Sequence, residues 1–119
     1  MLICCPHCQR KNRLDASRLS AAPVCGACKQ PLFNGKPTEV DAAGFARHAG
    51  ADLPLVIDFW ASWCGPCRQF APTFSRSCSQ HEPRARFLKV DTEAAPKLAA
   101  RFGIRSIPTL LSVHQGKEV

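Results

Sequence analysis

No hydrophobic run in this sequence is long enough to cross a membrane, and no glycine-rich nucleotide fingerprint is present. A membrane-spanning helix needs about 20 consecutive apolar residues, so we expect no membrane partner. The missing fingerprint predicts that the protein has no bound organic cofactor. The opening residues 1–5 also leave no space for a charged and then apolar export signal. These absences favour a cytoplasmic location, where paired cysteines indicate metal binding or redox chemistry.

Acidic residues are also scarce, because nine Asp and Glu stand against sixteen Lys and Arg, a formal net charge of +7. The basic excess is spread along the chain, which is more typical of a solvated surface than of a nucleic-acid-binding patch. The 119 residues have room for one ordinary domain, or for a small domain and a very small one. Eight cysteines in so short a chain are many, and their spacing carries most of the functional information.

Two of the cysteine pairs have the spacing of a zinc ribbon. Each pair has two residues between its cysteines, and sixteen residues separate one pair from the other; the four are Cys5, Cys8, Cys25 and Cys28. In a zinc ribbon each pair forms a tight turn, called a knuckle, that supplies two thiolates to one tetrahedral ion. We therefore expect residues 1–35 to form a zinc ribbon that binds one zinc ion.

The ribbon has few apolar residues to bury, nearly all of them in the set Leu14, Leu19, Val24, Leu32 and Phe33. The metal must then supply most of its folding free energy, on the order of 10 kcal/mol. Two further residues could act as ligands. Cys4 could replace Cys5, and His7 could compete for the metal, but the two-residue gap favours Cys5. We expect Cys4 to be a free bystander and the His7 ring to point to water.

Strand and helix patterns alternate after a connection at residues 31–38. Asp41 can cap a short helix over residues 42–49 that ends at Gly50. Strands are predicted at 55–60, 87–91 and 109–113, helices from Cys64 through Cys78 and at 92–102, and a hairpin turn at 114–117. Pro72 should kink the first of these two helices, and Cys78 should be a buried apolar residue rather than a redox thiol. The order favours a mixed α/β layer fold.

A third cysteine pair, Cys64-Gly65-Pro66-Cys67, follows the apolar strand at 55–60. The first turn of a helix favours a negative sulfur, because free backbone N–H groups and the positive end of the helix dipole lie there. Cys64 should therefore be partly thiolate and act as the attacking thiol, with the shielded Cys67 as the resolving thiol. Gly65 and Pro66 make the turn tight enough to close a disulfide between them.

Asp58 interrupts the same strand with a carboxyl group. If the side chain is buried, the cost of desolvating its charge should raise its pKa. It could instead face outward from an edge strand and have no role.

Trp63-Cys64-Gly65-Pro66-Cys67 after a strand that carries Asp58, together with Ile107-Pro108, resembles the active site of the thioredoxin family. The resemblance covers about residues 40–119 and implies a thioredoxin fold in a domain at 36–119. It implies that Asp58 accepts the proton of Cys67 through water, with Lys89 as its charge partner. It also implies a cis Ile107–Pro108 bond against the disulfide, with the Ile107 backbone free to pair with a substrate peptide.

The implied activity is reduction of disulfides in cytosolic proteins, with the oxidised enzyme recharged by an NADPH-dependent thioredoxin reductase. The cysteine ribbon resembles that of the zinc-carrying bacterial members of the family, and this match includes Cys8-Gln9, Asn12-Arg13 and Asp52-Leu53-Pro54. Measured against the family, most of the last strand and the final helix are absent, so we expect a fold that is incomplete at its C-terminus.

Two other functions remain compatible with the ribbon. It could be a binding module for nucleic acid or protein, because Arg10, Lys11, Arg13 and Arg18 make it basic. No aromatic stacking platform accompanies these charges, so nucleic acid is the less favoured partner. Alternatively, oxidation of the four cysteines could expel zinc and unfold the ribbon, as in a redox-switched chaperone.

Overall fold

The computed structural model describes residues 1–115 and 117–119. Its ribbon contains β1 (Leu2–Cys4), β2 (Lys11–Arg13) and a short 3-10 helix at Ala16–Arg18. The remaining elements are, in chain order, β3 (Thr38–Glu39), α1 (Ala42–Ala49), β4 (Leu55–Trp60), α2 (Gly65–His81), β5 (Arg86–Asp91), α3 (Pro96–Arg101), β6 (Thr109–His114) and β7 (Lys117–Glu118). The predicted hairpin joins β6 to β7, and its Gly116 lies outside the described residues.

Five strands form one mixed sheet in the order β3-β5-β4-β6-β7. The first three are parallel to one another, whereas β6 and β7 are antiparallel to their neighbours. Strand β4 is central, and its alternation places Ile57 and Phe59 in one core with α1 and α3. On the opposite face, Phe74 and Cys78 of α2 pack against Phe87. Cys78 is fully buried, as expected of a small apolar residue.

The two predicted helices on either side of β5 differ from the prediction in length. Helix α2 begins after Cys64 and continues through Pro72 to His81, three residues beyond Cys78, where the prediction ends. Helix α3 begins only at Pro96, four residues after its predicted start at Thr92. A residue before proline is sterically hindered from the helical conformation, and Ala95 accordingly has φ −129° and ψ 61°.

The ribbon builds its small core partly from the rest of the chain. Ile3, Cys5, Cys25 and Leu32 are buried together with Leu53, which precedes β4. Val24 was expected to be buried in the ribbon, but it is 53% exposed. The expectation for Val24 was wrong, and the buried cluster of the ribbon includes Ile3 and Leu53.

Backbone and side-chain contacts hold the ribbon against the sheet. Asp52 makes two hydrogen bonds with Leu2 of β1. Its Oδ2 accepts from the Leu2 N–H at 2.6 Å, and its own N–H donates to the Leu2 carbonyl at 2.9 Å. The buried Arg86 donates from Nη2 to the Cys4 carbonyl at 3.0 Å and lies 4.7 Å from the Phe33 ring centroid. Among the described helices, none is long and apolar enough to span a membrane.

Candidate redox site and metal centre

Cys64 and Cys67 form a disulfide at the start of α2. Cys64 is the N-cap residue, and its sulfur accepts from the Cys67 N–H at 3.1 Å. Both cysteines are buried, in a cluster with Ala61 that also touches Ile107. On reduction, the same N–H and the positive end of the helix dipole would stabilise negative charge on the Cys64 sulfur.

The segment that leads into β6 lies next to the disulfide. The Ile107–Pro108 bond is cis, and the Ile107 carbonyl oxygen lies 3.8 Å from the Cys64 sulfur. A shallow groove of about 180 Å³ runs beside it and is lined partly by Ile107, Arg105 and Trp63. Trp63 is 64% exposed, and its indole N–H donates to Glu93 Oε1 at 2.6 Å. The bond to Glu93 fixes the indole at the mouth of the groove.

Asp58 is fully buried in the central strand, so the alternative of an outward-facing residue on an edge strand is wrong. Neither carboxyl oxygen has a hydrogen-bond partner within the described residues. Burial raises the pKa of Asp58, and the positive charge of Lys89 opposes that rise. The carboxyl group therefore tends to hold its proton at a pH where an exposed aspartate is ionised.

Lys89 is in register with Asp58 on the neighbouring strand. Its ammonium group lies over the Trp60 ring, 4.7 Å from the centroid, and the described residues show no ion pair between Lys89 and Asp58 within 4.0 Å. Lys89 thus acts on Asp58 through the electric field and not through a direct bond. Trp60, the last residue of β4, packs beside the disulfide cluster.

The four ribbon cysteines meet at one point. Their sulfur atoms all lie within 4.8 Å of one another, and the Cys5–Cys28 and Cys8–Cys25 pairs are each 3.6 Å apart. A tetrahedral zinc ion with Zn–S bonds of about 2.3 Å requires sulfur separations of about 3.8 Å. The four thiol donors and their spacing therefore fit zinc. The sulfur–sulfur distances are too long for disulfide bonds.

Backbone amides complete the environment of these sulfurs. Cys5 Sγ accepts from the His7 and Cys8 N–H groups at 3.4 and 3.5 Å. The His7 side chain is exposed, and neither it nor Cys4 belongs to the four-sulfur cluster. The Cys4 thiol instead lies 3.6 Å from the Gln9 carbonyl.

Sequence reasoning missed two groups that support these sites. The Asn12 side chain bridges the ribbon, since its Oδ1 accepts from the Gly26 N–H at 2.8 Å and its Nδ2 lies 3.5 Å from Cys25 Sγ. The second group is the ion pair between Arg86 and Glu82, with both side chains almost fully buried. The sequence analysis named Asn12 only as part of a motif. Arg86 contacts residues that are distant in the sequence, so no local sequence pattern predicts its role.

Comparisons with known proteins agree with this geometry. The sequence model of the family described as "Thioredoxin" matches residues 36–119, and that described as "Thioredoxin 2, N-terminal" matches residues 4–30. "Thioredoxin C-3" of Corynebacterium nephridii is 43% identical over 120 aligned residues, covering 100% of this chain and 82% of the relative. "Putative thioredoxin 2" of Streptomyces coelicolor is 54% identical over 61 residues, covering 51% of this chain and 45% of the relative.

Two solved structures share the fold. A single-site mutant of thioredoxin from Halobacterium salinarum superposes with a TM-score of 0.66 at 26% identity, covering 73% of this chain and 76% of that one. The thioredoxin of Malassezia sympodialis gives a TM-score of 0.64 at 32% identity, covering 68% and 72%. The chain therefore belongs to the thioredoxin family, whose members are protein-disulfide reductases, and it carries the zinc-ribbon N-terminal domain of the thioredoxin 2 type.

Proposed function

We propose that this chain reduces disulfide bonds in cytosolic proteins through Cys64 and Cys67. In this proposal residues 1–35 are the zinc ribbon and residues 36–119 are the redox domain. The observation that carries it is the disulfide placed at the first turn of α2, directly after the strand that holds the buried, unpartnered Asp58. A dithiol in that position combines a stabilised thiolate with a second sulfur close enough to complete the exchange.

The reaction has two exchange steps. The Cys64 thiolate attacks one sulfur of the substrate disulfide, which breaks that S–S bond, forms a mixed disulfide and releases the other substrate sulfur as a thiolate that takes up a proton. Asp58 then accepts the proton of Cys67 through water, and the Cys67 thiolate attacks the Cys64 sulfur. The mixed disulfide breaks, the second substrate sulfur leaves as a thiolate that takes up a proton, and the enzyme retains the two-electron oxidised Cys64–Cys67 bond.

The residues around the disulfide hold the substrate for this exchange. Gly65 and Pro66 form the turn that sets the distance between the two sulfurs, and Trp63 limits access to Cys64. The segment at Ile107 and Pro108 offers backbone groups to a substrate peptide, next to the Cys64 sulfur. Lys89 lowers the cost of ionising Asp58.

A thioredoxin reductase that draws electrons from NADPH is the proposed partner that returns the enzyme to the dithiol form. A cytoplasmic location is supported by the free thiols of Cys4 and Cys78, since unpaired thiols persist in reducing compartments. One zinc ion bound by Cys5, Cys8, Cys25 and Cys28 would supply folding free energy to the ribbon. Because Leu53 shares the ribbon core, the zinc site would also support the redox domain.

The reduction of insulin disulfides with NADPH and thioredoxin reductase tests this function. We expect Cys64→Ser and Cys67→Ser to abolish NADPH consumption, because each removes one sulfur of the exchanging pair. Cys4→Ala is the matched control, since it removes a thiol that belongs to neither cluster, and it should keep wild-type turnover. Sustained turnover by Cys64→Ser would disprove the assignment of the attacking thiol.

A further inference from the structure

Three ionisable side chains lie in one row across the sheet at the level of Asp58. Lys89 of β5 is in register with Asp58 of β4 on one side and with Glu39 of β3 on the other. Residues in register on neighbouring strands project from the same face of a sheet. Lys89 therefore lies between the two acidic residues in the row, and the backbone of Glu39 is about 10 Å from that of Asp58, which is two strand spacings.

The two carboxyl groups are in different surroundings. Asp58 is fully buried and has no hydrogen-bond partner within the described residues, whereas Glu39 is an exposed residue of the edge strand. Partial desolvation raises the pKa of Glu39, the charge of Lys89 opposes that rise, and the charge of Asp58 adds to it. The two carboxyl groups therefore act on each other, so a negative charge on Glu39 also disfavours ionisation of Asp58.

Few other charged groups reach Asp58. The residue of β6 in register with it is Leu110, which is neutral, and α2 contributes the thiol of Cys67 when the disulfide is open. On β5, Asp91 adds a further negative charge near Glu39. Burial is thus the main influence on Asp58, and Lys89 supplies the charge that opposes it.

We infer that Glu39 is a positioning residue for the second exchange step: it neutralises part of the Lys89 field and so keeps the proton on Asp58 to a higher pH. This inference rests on the proposed function, in which Asp58 accepts the proton of Cys67. Glu39 does not touch the reacting sulfurs. Its effect is to set the pH at which Asp58 becomes a base.

Removal of the Glu39 charge should lower the pH at which Asp58 ionises. Two unit charges about 10 Å apart interact enough to move a titration by about 0.3 units if water screens them fully and by about 1 unit at an effective dielectric constant of 20. Because Glu39 is exposed, we expect a value near the lower half of that range, about 0.5 units.

The experiment follows the Asp58 carboxyl carbon by NMR in the reduced full-length protein, titrated in the wild type and in E39Q. We expect the Asp58 midpoint in E39Q to fall by about 0.5 pH units and the acid limb of insulin reduction to move in the same direction. The variant E39D keeps the negative charge and should therefore keep the Asp58 midpoint of the wild type. E118Q is the matched control, since it removes the same charge from an exposed residue of β7 at the other edge of the sheet, and it should leave the midpoint unchanged.

Coincident Asp58 titrations in E39Q and the wild type would overturn the inference, as would an equal shift in E118Q. D58N separates this failure from failure of the proposed function. If D58N leaves the pH profile of insulin reduction unchanged, Asp58 is not the proton acceptor, whatever Glu39 does. If D58N abolishes the acid limb while E39Q titrates as the wild type, only the inference about Glu39 fails.

Discussion

Replacing Glu82 by glutamine should destabilise the protein strongly, because it leaves a buried positive charge without its counter-ion. Arg86 Nη1 lies 3.3 Å from Glu82 Oε2, and the two side chains are 2% and 3% exposed. The substitution keeps a polar side chain of the same size, so the new amide oxygen can still accept from the Gly35 N–H that now bonds Glu82 at 2.9 Å. After the change, Arg86 retains the Cys4 carbonyl and the Phe33 ring as partners.

The expected loss is about 3–5 kcal/mol, which is typical when one member of a buried ion pair is removed. Small proteins have about 0.05–0.15 kcal/mol of unfolding free energy per residue, or about 6–18 kcal/mol for a chain of this length. The variant should therefore remain folded but have clearly reduced stability. A solvent-exposed pair would contribute only about 0–1 kcal/mol.

Equilibrium urea unfolding of the zinc-loaded, oxidised protein measures this difference. The double variant R86M/E82Q should regain most of the loss, because it removes the buried charge together with its partner. Hydrogen exchange at the Leu2 and Asp52 amides would show whether the ribbon loosens from the sheet. A loss below about 1 kcal/mol for E82Q, the range of exposed pairs, would refute the argument from burial.

Other predictions concern a buried histidine, the zinc cluster and the indole at the groove. Burial, with the charge of Arg86 as a second cause, lowers the pKa of His48 from 6.5 to about 4. The unfolding free energy should therefore be highest above pH 6.5 and fall by about 3 kcal/mol towards pH 4. Urea unfolding across this pH range should show a flatter profile for His48→Leu. Cys28→Ser should lose most bound zinc in a metal-release assay, whereas Cys4→Ser should keep one ion per chain. Glu93→Gln removes the negative charge from the acceptor of the 2.6 Å hydrogen bond that Trp63 donates, so the fluorescence of that indole should change. The unfolding free energy should shift by less than about 1 kcal/mol, because the amide oxygen can still accept.

The sequence predicted those parts of the fold that depend on local patterns. The apolar run at Leu55–Trp60 became the central strand, and Asp41 became the N-cap of α1, where its Oδ1 accepts from the Gly44 N–H at 2.7 Å. Cys64 likewise became the N-cap of α2. In each case the deciding interactions lie within a few residues of one another, so composition and spacing were sufficient.

Contacts between distant parts of the chain could not be predicted in this way. Arg86 reaches the carbonyl of Cys4 across 82 residues, and the N–H of Leu2 reaches Asp52 across 50. Before the fold is known, Arg86 is an ordinary basic residue at the start of a strand. The place of Glu39 beside Lys89 depends on the register of two parallel strands, which no local motif specifies.

The central claim is that Cys64 attacks and Cys67 resolves, and trapping the intermediate tests it most directly. Reduced Cys67→Ser protein is mixed with insulin, quenched with acid and digested without reductant, and the disulfide-linked peptides are mapped by mass spectrometry. Because the resolving sulfur is missing, we predict that a mixed disulfide between Cys64 and an insulin cysteine accumulates. The absence of any such adduct, or an adduct formed instead at a ribbon cysteine such as Cys8, would contradict the account.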